Sequence, residues 1–388
     1  MMNTALLSPA QKLDWLQLTR CENIGPCNFQ MLITRFGSAG AALKALPELM
    51  RSGRLAHVVI APRDDILREW DEIERQKLQL IALCEPDYPP ALREIDSPPP
   101  MLTVRGNRAS LQMSCVSIVG SRNASAAGLL LTERLARGLG EAGYCVTSGL
   151  ARGIDAKAHR AALKATTIAV LAGGHNRIYP SEHTKLAAEI CEQGAVISEM
   201  PLNWEPRGPD FPRRNRLVAG ISLGTIVIEA ALRSGSLITA RLANEQGRQV
   251  FAVPGSPLDP RAEGTNNLLR EGATLCTRVE DVIEALNPVR SHGLPPRDLF
   301  REAATEFVGL ESPPPVDSFR DTRIDNPLRH SVEGLPSSVE GLLGAAPVSI
   351  DDLIRNSGMP AAEVQMALLD LEMAGRLQRH SNGCVSVI

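Results

Sequence analysis

From about residue 80 onward, short runs rich in Val and Ile alternate with longer stretches rich in Ala and Leu. The runs CVSIV (115–119), YCVTS (144–148), TIAVLA (167–172), AVIS (195–198), TIVIE (225–229) and QVFAV (249–253) are nearly continuously apolar. That is the pattern of strands buried on both faces rather than on one. Between them, 125–142, 154–164, 182–193, 213–221 and 236–247 have the length and composition of helices. Strands alternating with helices predict an α/β fold, a doubly wound Rossmann-like parallel sheet covered on both sides, over residues 79–286.

The flanking segments read differently. Residues 1–78 set Leu16, Ile24, Met31, Leu32 and Phe36 around a Gly-Pro turn, which predicts a small N-terminal helical domain of the SAM or helix-hairpin-helix kind. Residues 287–334 carry Pro288, Pro295, Pro296, Pro313, Pro314, Pro315 and Pro327 with little periodicity, the composition of a linker. Residues 335–388 predict three short helices (near 337–343, 349–356 and 360–374), then RLQRH, a Ser-Asn-Gly turn and CVSVI, which together make a C-terminal winged helix.

In an open parallel sheet, ligands bind beyond the carboxyl ends of the strands, so the residues that follow each strand matter most. Gly120, Ser121 and Arg122 follow the first run; Ser148 closes the second and Gly149, Arg152 and Gly153 follow it; Arg177 follows the third. The fourth leads through Arg207 to Arg213, Arg214, Asn215 and Arg216, and the fifth to Ser234, Gly235 and Ser236. Glycine lets a ligand approach the backbone, helix amides donate, and arginine offers a charged fork. Together they predict a phosphate-binding crest. Arg213, Arg214 and Arg216 stand behind Pro212 in what reads as the first turn of a helix capped by Asp210, where the helix dipole disfavours cations. An anion is therefore expected opposite them.

Composition narrows the choice of anion. The chain has 41 Lys and Arg against 44 Asp and Glu, a formal charge of −3, so any nucleic-acid site is a local patch. Aromatic residues make up 3%, which predicts little base stacking. Neither GxGxxG nor GxxxxGK[ST] is present, which argues against a dinucleotide cofactor and against a P-loop. Eight scattered cysteines with no CxxC pair argue against zinc and against a disulfide scaffold. No apolar segment approaches the roughly 20 residues of a membrane span, and MMNTALLSPAQ does not read as a leader, so a soluble cytoplasmic protein is expected. His159, His175, His183, Asp155, Glu199 and Glu229 lie near the crest, yet each has a structural explanation by position, as cap, core residue or arginine partner.

The blocks SGLARGIDAKAH (148–159), TIAVLAGG with YPSEH, ISEMP (197–201), FPRRNRLVAGIS (211–222) and IEAALRSGSLITARLA with VFAVPGS, in that order, resemble the DNA-processing protein A (DprA/Smf) family. YPPALREIDSPPPMLTVRGN (88–107) resembles its lead-in. The resemblance implies a non-catalytic, cofactor-free protein that binds single-stranded DNA without sequence preference, forms homodimers and delivers DNA to the RecA recombinase during natural transformation. It places a DNA-contacting arginine at Arg122 and a family lysine near Lys185. Two other readings compete with it. A phosphoribohydrolase of the "lonely guy" type would show PGGxGTxxE, but the matching turn, Ser234 to Thr239, lacks the glutamate. A winged-helix transcription regulator would need a basic recognition helix, but residues 360–375 contain Glu363, Asp370 and Glu372 and no Arg or Lys.

Overall fold

The structure, a computed structural model, describes residues 6–51, 58–292, 348–350, 353–354, 359–373, 377–379 and 384–387. The chain divides into two compact units, Met1–Pro296 and Arg297–Ile388. The first begins with four helices, α1 (Pro9–Arg20), α2 (Pro26–Phe36), α3 (Ala39–Arg51) and α4 (Arg63–Arg75). Ser8 caps α1 reciprocally with Gln11, satisfying two amides that the helix start would otherwise leave unpaired.

Alternating strands and helices follow: β1 (Gln79–Ala82), α5 (Pro90–Arg93), β2 (Met101–Gly106), β3 (Cys115–Val119), α6 (Ala126–Glu141), β4 (Cys145–Ser148), α7 (Ile154–Ala162), β5 (Thr167–Val170), α8 (Thr184–Gln193), β6 (Ala195–Ser198), α9 (Asp210–Gly220), β7 (Ser222–Val227), α10 (Gly235–Glu245), β8 (Gln249–Ala252), α11 (Glu263–Arg270), β9 (Thr274–Leu275) and α12 (Val279–His292). The nine strands form one sheet in the order β1-β2-β6-β5-β4-β3-β7-β8-β9. From β6 to β9 all neighbours are parallel, while β2 pairs antiparallel with β6 and β1 with β2. The sheet is thus mixed at one edge, where the sequence predicted parallel strands alone. The antiparallel pair comes from the lead-in 79–106, whose two apolar stretches are separated by Pro86, Pro89, Pro90 and Pro98 to Pro100 and lack the βα alternation that marks a crossover.

Period-two alternation explains the layering. Along β3, Val116 and Ile118 face a cluster with Leu135, Ala136 and Leu139 of α6, Ile154 and Ala158 of α7, and Val282 and Leu286 of α12. Cys115 and Val119 face the other cluster, with Leu217 and Val218 of α9 and Ala240 of α10. That second cluster continues without a break into Leu16, Leu18, Phe29, Leu32 and Leu46 of the first helices and into Leu80, Leu102 and Val104 of β1 and β2. The helices of residues 9–75 therefore share a core with the sheet edge. Residues 287–292, read from the sequence as linker, are the end of α12, and the rest of the expected linker lies outside the described residues.

In the second unit, β10 (Val348–Ser349), α13 (Ala361–Met373), β11 (Leu377–Arg379) and β12 (Cys384–Val387) are described, with sheet order β10-β12-β11. Leu353, Val364, Leu368, Leu377 and Val385 form its buried core. This is the helix and antiparallel hairpin of a winged helix; the helix expected at 337–343 lies outside the described residues.

Leu102 is fully buried where helices and sheet meet. Leu102→Ala should cost about 2–5 kcal/mol of stability through lost burial and the cavity left behind. Urea unfolding of residues 1–296 followed by far-UV circular dichroism and by tryptophan fluorescence should give one coincident midpoint, lowered in the variant. Separate midpoints for the two signals would show that the core is not shared.

Candidate functional site

The chain runs outward from β3 through β4 and β5 to β6, then returns to β7 on the other side of β3. The turns after β3 and β7 consequently leave in opposite directions and open a crevice between them. A pocket of about 600 Å³ occupies this place, lined by residues that include Gly120, Ser121, Arg122, Gly149, Arg214, Asn215, Ser234, Gly235 and Ser236. Nine of the sequence-predicted crest residues thus come together here, with Asn123, Phe211 and Arg233 beside them.

Several of these residues serve the protein rather than an exposed surface. A Cβ at Gly149 would overlap the Arg214 guanidinium, and Gly153 has φ +70° with its Cα facing the Ser121 carbonyl. The glycines permit close approach of the chain to itself. The Arg214 side chain is buried, and its Nη1 donates to the carbonyl of Gly149 and to that of Val170 at 2.7 Å. Burial lowers its pKa to about 10, which leaves it charged at neutral pH. Asp155, also buried, accepts from the amides of Gly149 at 3.1 Å and Ala151 at 3.3 Å, and its attraction to Arg214 offsets part of the desolvation that raises its carboxyl pKa. Ser148 is buried as well and donates to Ile118 at 2.6 Å.

The anion expected opposite the three arginines proves to be internal for two of them. Glu199, buried beyond the end of β6, accepts from Arg213 Nε at 3.0 Å through one oxygen and from Arg216 Nη2 through the other. Arg216 also donates to the Ser97 carbonyl. Asp210 does not cap α9: it accepts from the Arg207 amide at 2.8 Å and from the Trp204 indole at 2.9 Å, closing the preceding turn.

The exposed cations lie around this frame. Arg122 rests over the Phe211 ring, 5.5 Å from its centroid, and Arg207 over Trp204 at 5.0 Å. Phe211 in turn meets Tyr179 edge to face at 5.3 Å, and Tyr179 is half exposed. Arg152 and Arg177 line a second crevice of about 820 Å³. Arg152 is held by Glu182 at 2.8 Å, and Lys185 stands apart on α8, 3.9 Å from Glu189. The sequence reading missed Phe211, Tyr179 and Trp204, because a low aromatic total conceals that three of them gather at one crest. Their signal lay in the blocks themselves, where FPRRNR begins with Phe211 and YPSEH with Tyr179.

The candidate acid–base groups all have internal partners. His159 Nδ1 lies 2.7 Å from Thr167 Oγ1, His175 Nε2 lies 3.0 Å from the Thr103 carbonyl, and His183 Nδ1 lies 2.8 Å from that of Leu150. Glu229 accepts from the Ser125 amide at 2.9 Å and from its hydroxyl, at the start of α6, where a carboxylate also meets the helix dipole favourably. Among the described residues, no three His, Cys, Asp or Glu side chains group closely enough to hold a metal, and no helix is long and apolar enough to cross a membrane.

Residues 79–287 match the family model described as DNA recombination-mediator protein A, residues 9–71 the DprA-like N-terminal HHH domain, and residues 327–383 the DprA winged helix domain. The chain is 38% identical to Protein Smf of Escherichia coli strain K12 over 84% of this chain and 81% of that one. The X-ray structure of DNA processing protein A from Streptococcus pneumoniae superposes with TM-score 0.55 at 35% identity, covering 64% of this chain and 82% of the other. DNA processing protein A from Helicobacter pylori, whose structure is described in terms of a unique single-stranded DNA binding mode, gives TM-score 0.50 at 30% identity over 55% and 96%.

Burial lowers the pKa of His159 to about 3 and of His175 to about 4, so both rings are neutral in the folded protein. In the unfolded chain they take up protons below about pH 6.5, so the stability they contribute is present above that pH and is lost as pH falls toward the folded values. Each should cost about 2 kcal/mol between pH 7 and pH 5. Asp155, whose carboxyl pKa is raised by burial, acts in the opposite sense between its ordinary and its raised pKa. The urea midpoint of wild type should therefore drop more from pH 7 to pH 5 than that of His175→Gln; equal drops would show that His175 titrates as an exposed ring.

Proposed function

The chain belongs to the DNA recombination-mediator protein A family, and on that footing we propose that it binds single-stranded DNA, without sequence preference and without catalysis, along the crest that joins its two crevices. The observation that carries the reading is the set of exposed arginines, Arg122, Arg177, Arg207 and Arg233, none ion-paired to a carboxylate among the described residues, gathered at the strand ends beside Phe211 and Tyr179. Phosphates supply the anion and the half-exposed Tyr179 ring accepts a base, a combination that tolerates any sequence. Of the predicted cluster, Arg122 acts on the ligand directly, Arg213 is half exposed beside Glu199, and Arg214 and Arg216 shape the floor.

We also propose, from the family alone, that the protein acts in the cytoplasm as a homodimer through the α/β domain and hands DNA to RecA during natural transformation. The acidic winged helix then serves protein contact rather than duplex reading, since Glu363 on α13 is exposed and no basic residue lies on that helix.

Log affinity for an oligonucleotide should fall with log salt by about 0.7 per phosphate neutralised. Arg122→Ala should reduce that slope by about one such step and weaken every sequence alike, whereas Glu182→Gln should release Arg152 and tighten binding. A salt-independent affinity in wild type would sink the reading. Handover is tested by whether the protein helps RecA displace a single-strand-binding protein from DNA; no acceleration at any ratio would remove the mediator role while leaving DNA binding in place.

A further inference from the structure

The outer surface of α6 and α7 is basic, and the site at the strand ends does not account for it. Both helices pack on one face of the sheet, where Leu135 and Leu139 of α6 share a core with Ile154 and Ala158 of α7. They begin shortly after β3 and β4, so each runs from the crest toward the opposite end of the sheet. On these helices and the turn after α7, the exposed or half-exposed cations are Arg134, Arg137, Lys157, Arg160 and Lys164, against Glu133 and Glu141. The chain as a whole has more acids than bases. Glu133 is shared between Arg137 and Lys157, which ties the two helices together and leaves that trio positive. Arg134, Arg160 and Lys164 are ion-paired to no carboxylate among the described residues. The flanking helices differ: on α8 Lys185 stands 3.9 Å from Glu189, and α12 opens with Glu280, Asp281 and Glu284. Arg134 and Arg137 lie before the last turn of α6, so attraction to the helix dipole does not explain them.

We propose that a bound strand longer than the crest continues over α6 and α7, its phosphates held by Arg134, Arg137, Lys157, Arg160 and Lys164. The inference rests on the reading of the crest as a single-stranded DNA site and says where the strand goes beyond it.

The spacing fits a nucleic-acid backbone. Lys157, Arg160 and Lys164 follow at i, i+3 and i+7 along α7 and the turn that ends it, and Arg134 and Arg137 at i and i+3 along α6. At ~1.5 Å per residue, Arg160 lies about 9 Å along α7 and Arg134 about 12 Å along α6 from their first residues, and Lys164 and Arg137 lie at about 15 and 17 Å. The cations of the two helices therefore form one band. Its length takes roughly four phosphates at the ~3.4 Å spacing of a stacked strand. Arg152 joins the band to the crest. Its hydrogen bond is the main cause that lowers the Glu182 carboxyl pKa, and the charge of Arg160 adds to it, which sets Arg160 beside that pair. Neither helix carries Phe, Tyr or Trp, so the band grips phosphates without stacking bases, and contacts of that kind carry no sequence information.

The test uses the full-length protein and oligothymidylates of increasing length, by fluorescence anisotropy over a range of salt. Wild type should bind longer oligomers more tightly and with a steeper salt dependence, by about 0.7 for each phosphate added to the band. Arg134→Ala, Arg160→Ala and Lys164→Ala together should leave the shortest tightly bound oligomer within about twofold of wild type and weaken the long ones roughly tenfold at low salt, with a correspondingly shallower salt slope. Lys44→Ala, which removes an exposed cation from α3, is the control. Unchanged binding of long oligomers by the folded triple variant, or an equal loss at every length, overturns the proposal. So does a loss that Lys44→Ala matches, or one seen with a duplex but not with the long single strand. If the triple variant does not fold, Arg134→Ala alone and Arg160→Ala with Lys164→Ala decide by the same comparison. No binding of any oligomer is a different result, which overturns the DNA reading as well.

Discussion

The crest depends on one buried cation. Arg214 brings its charge to the point where β4 and β5 end, and its guanidinium is satisfied by the carbonyls of Gly149 and Val170 with Asp155 nearby. Burying a charge costs several kcal/mol unless hydrogen bonds and an opposite charge offset it, so these groups have little freedom to move. The β4–α7 loop is held from both sides: its Gly149 carbonyl accepts from Arg214 and its Gly149 amide donates to Asp155. Leu150 at φ 57° and Gly153 at φ 70° are the backbone consequence. Because Arg214 lies on α9, the same anchor fixes the start of that helix, and with it Phe211 and the ring on which Arg122 rests.

A second network joins this anchor to the helices at the beginning of the chain. Arg20 pairs with Glu69 at 2.8 Å and donates to the Glu199 carbonyl at 3.1 Å, while the Glu199 carboxylate holds Arg213 and Arg216. Polar contacts thus run from α4 through α1 to α9, beside the apolar core that the same helices share with β1 and β2. The crest is supported from beneath by packing and from the side by charge.

The central strands were legible because continuous Val and Ile runs have few other uses in a soluble chain, and β3 and β6 fall where their runs predict. The gathering of Gly120, Arg122, Gly149 and Ser234 was legible because the turns that follow neighbouring strands of an open sheet come together. What could not be read was the set of partners. Nothing local marks Glu199 as the counter-charge of Arg213, since 14 residues of chain separate them and only the fold brings them together. Likewise, a glycine required for ligand approach and one required by a neighbouring arginine look the same in sequence, and Gly149 is the second kind. The antiparallel edge was missed because β2 begins directly after Pro98, Pro99 and Pro100 and is followed by a short 3₁₀ turn, Arg108–Gln112, rather than by a crossover α-helix.

The arrangement of charge also bears on how a polyanion arrives. A chain with net charge −3 that gathers Arg122, Arg177, Arg207 and Arg233 near the carboxyl ends of its strands carries a local positive field there. Such a field would steer a diffusing polyanion before any contact forms. Encounters would be pre-oriented at low ionic strength and become random as counterions shorten the reach of the field to about 8–10 Å.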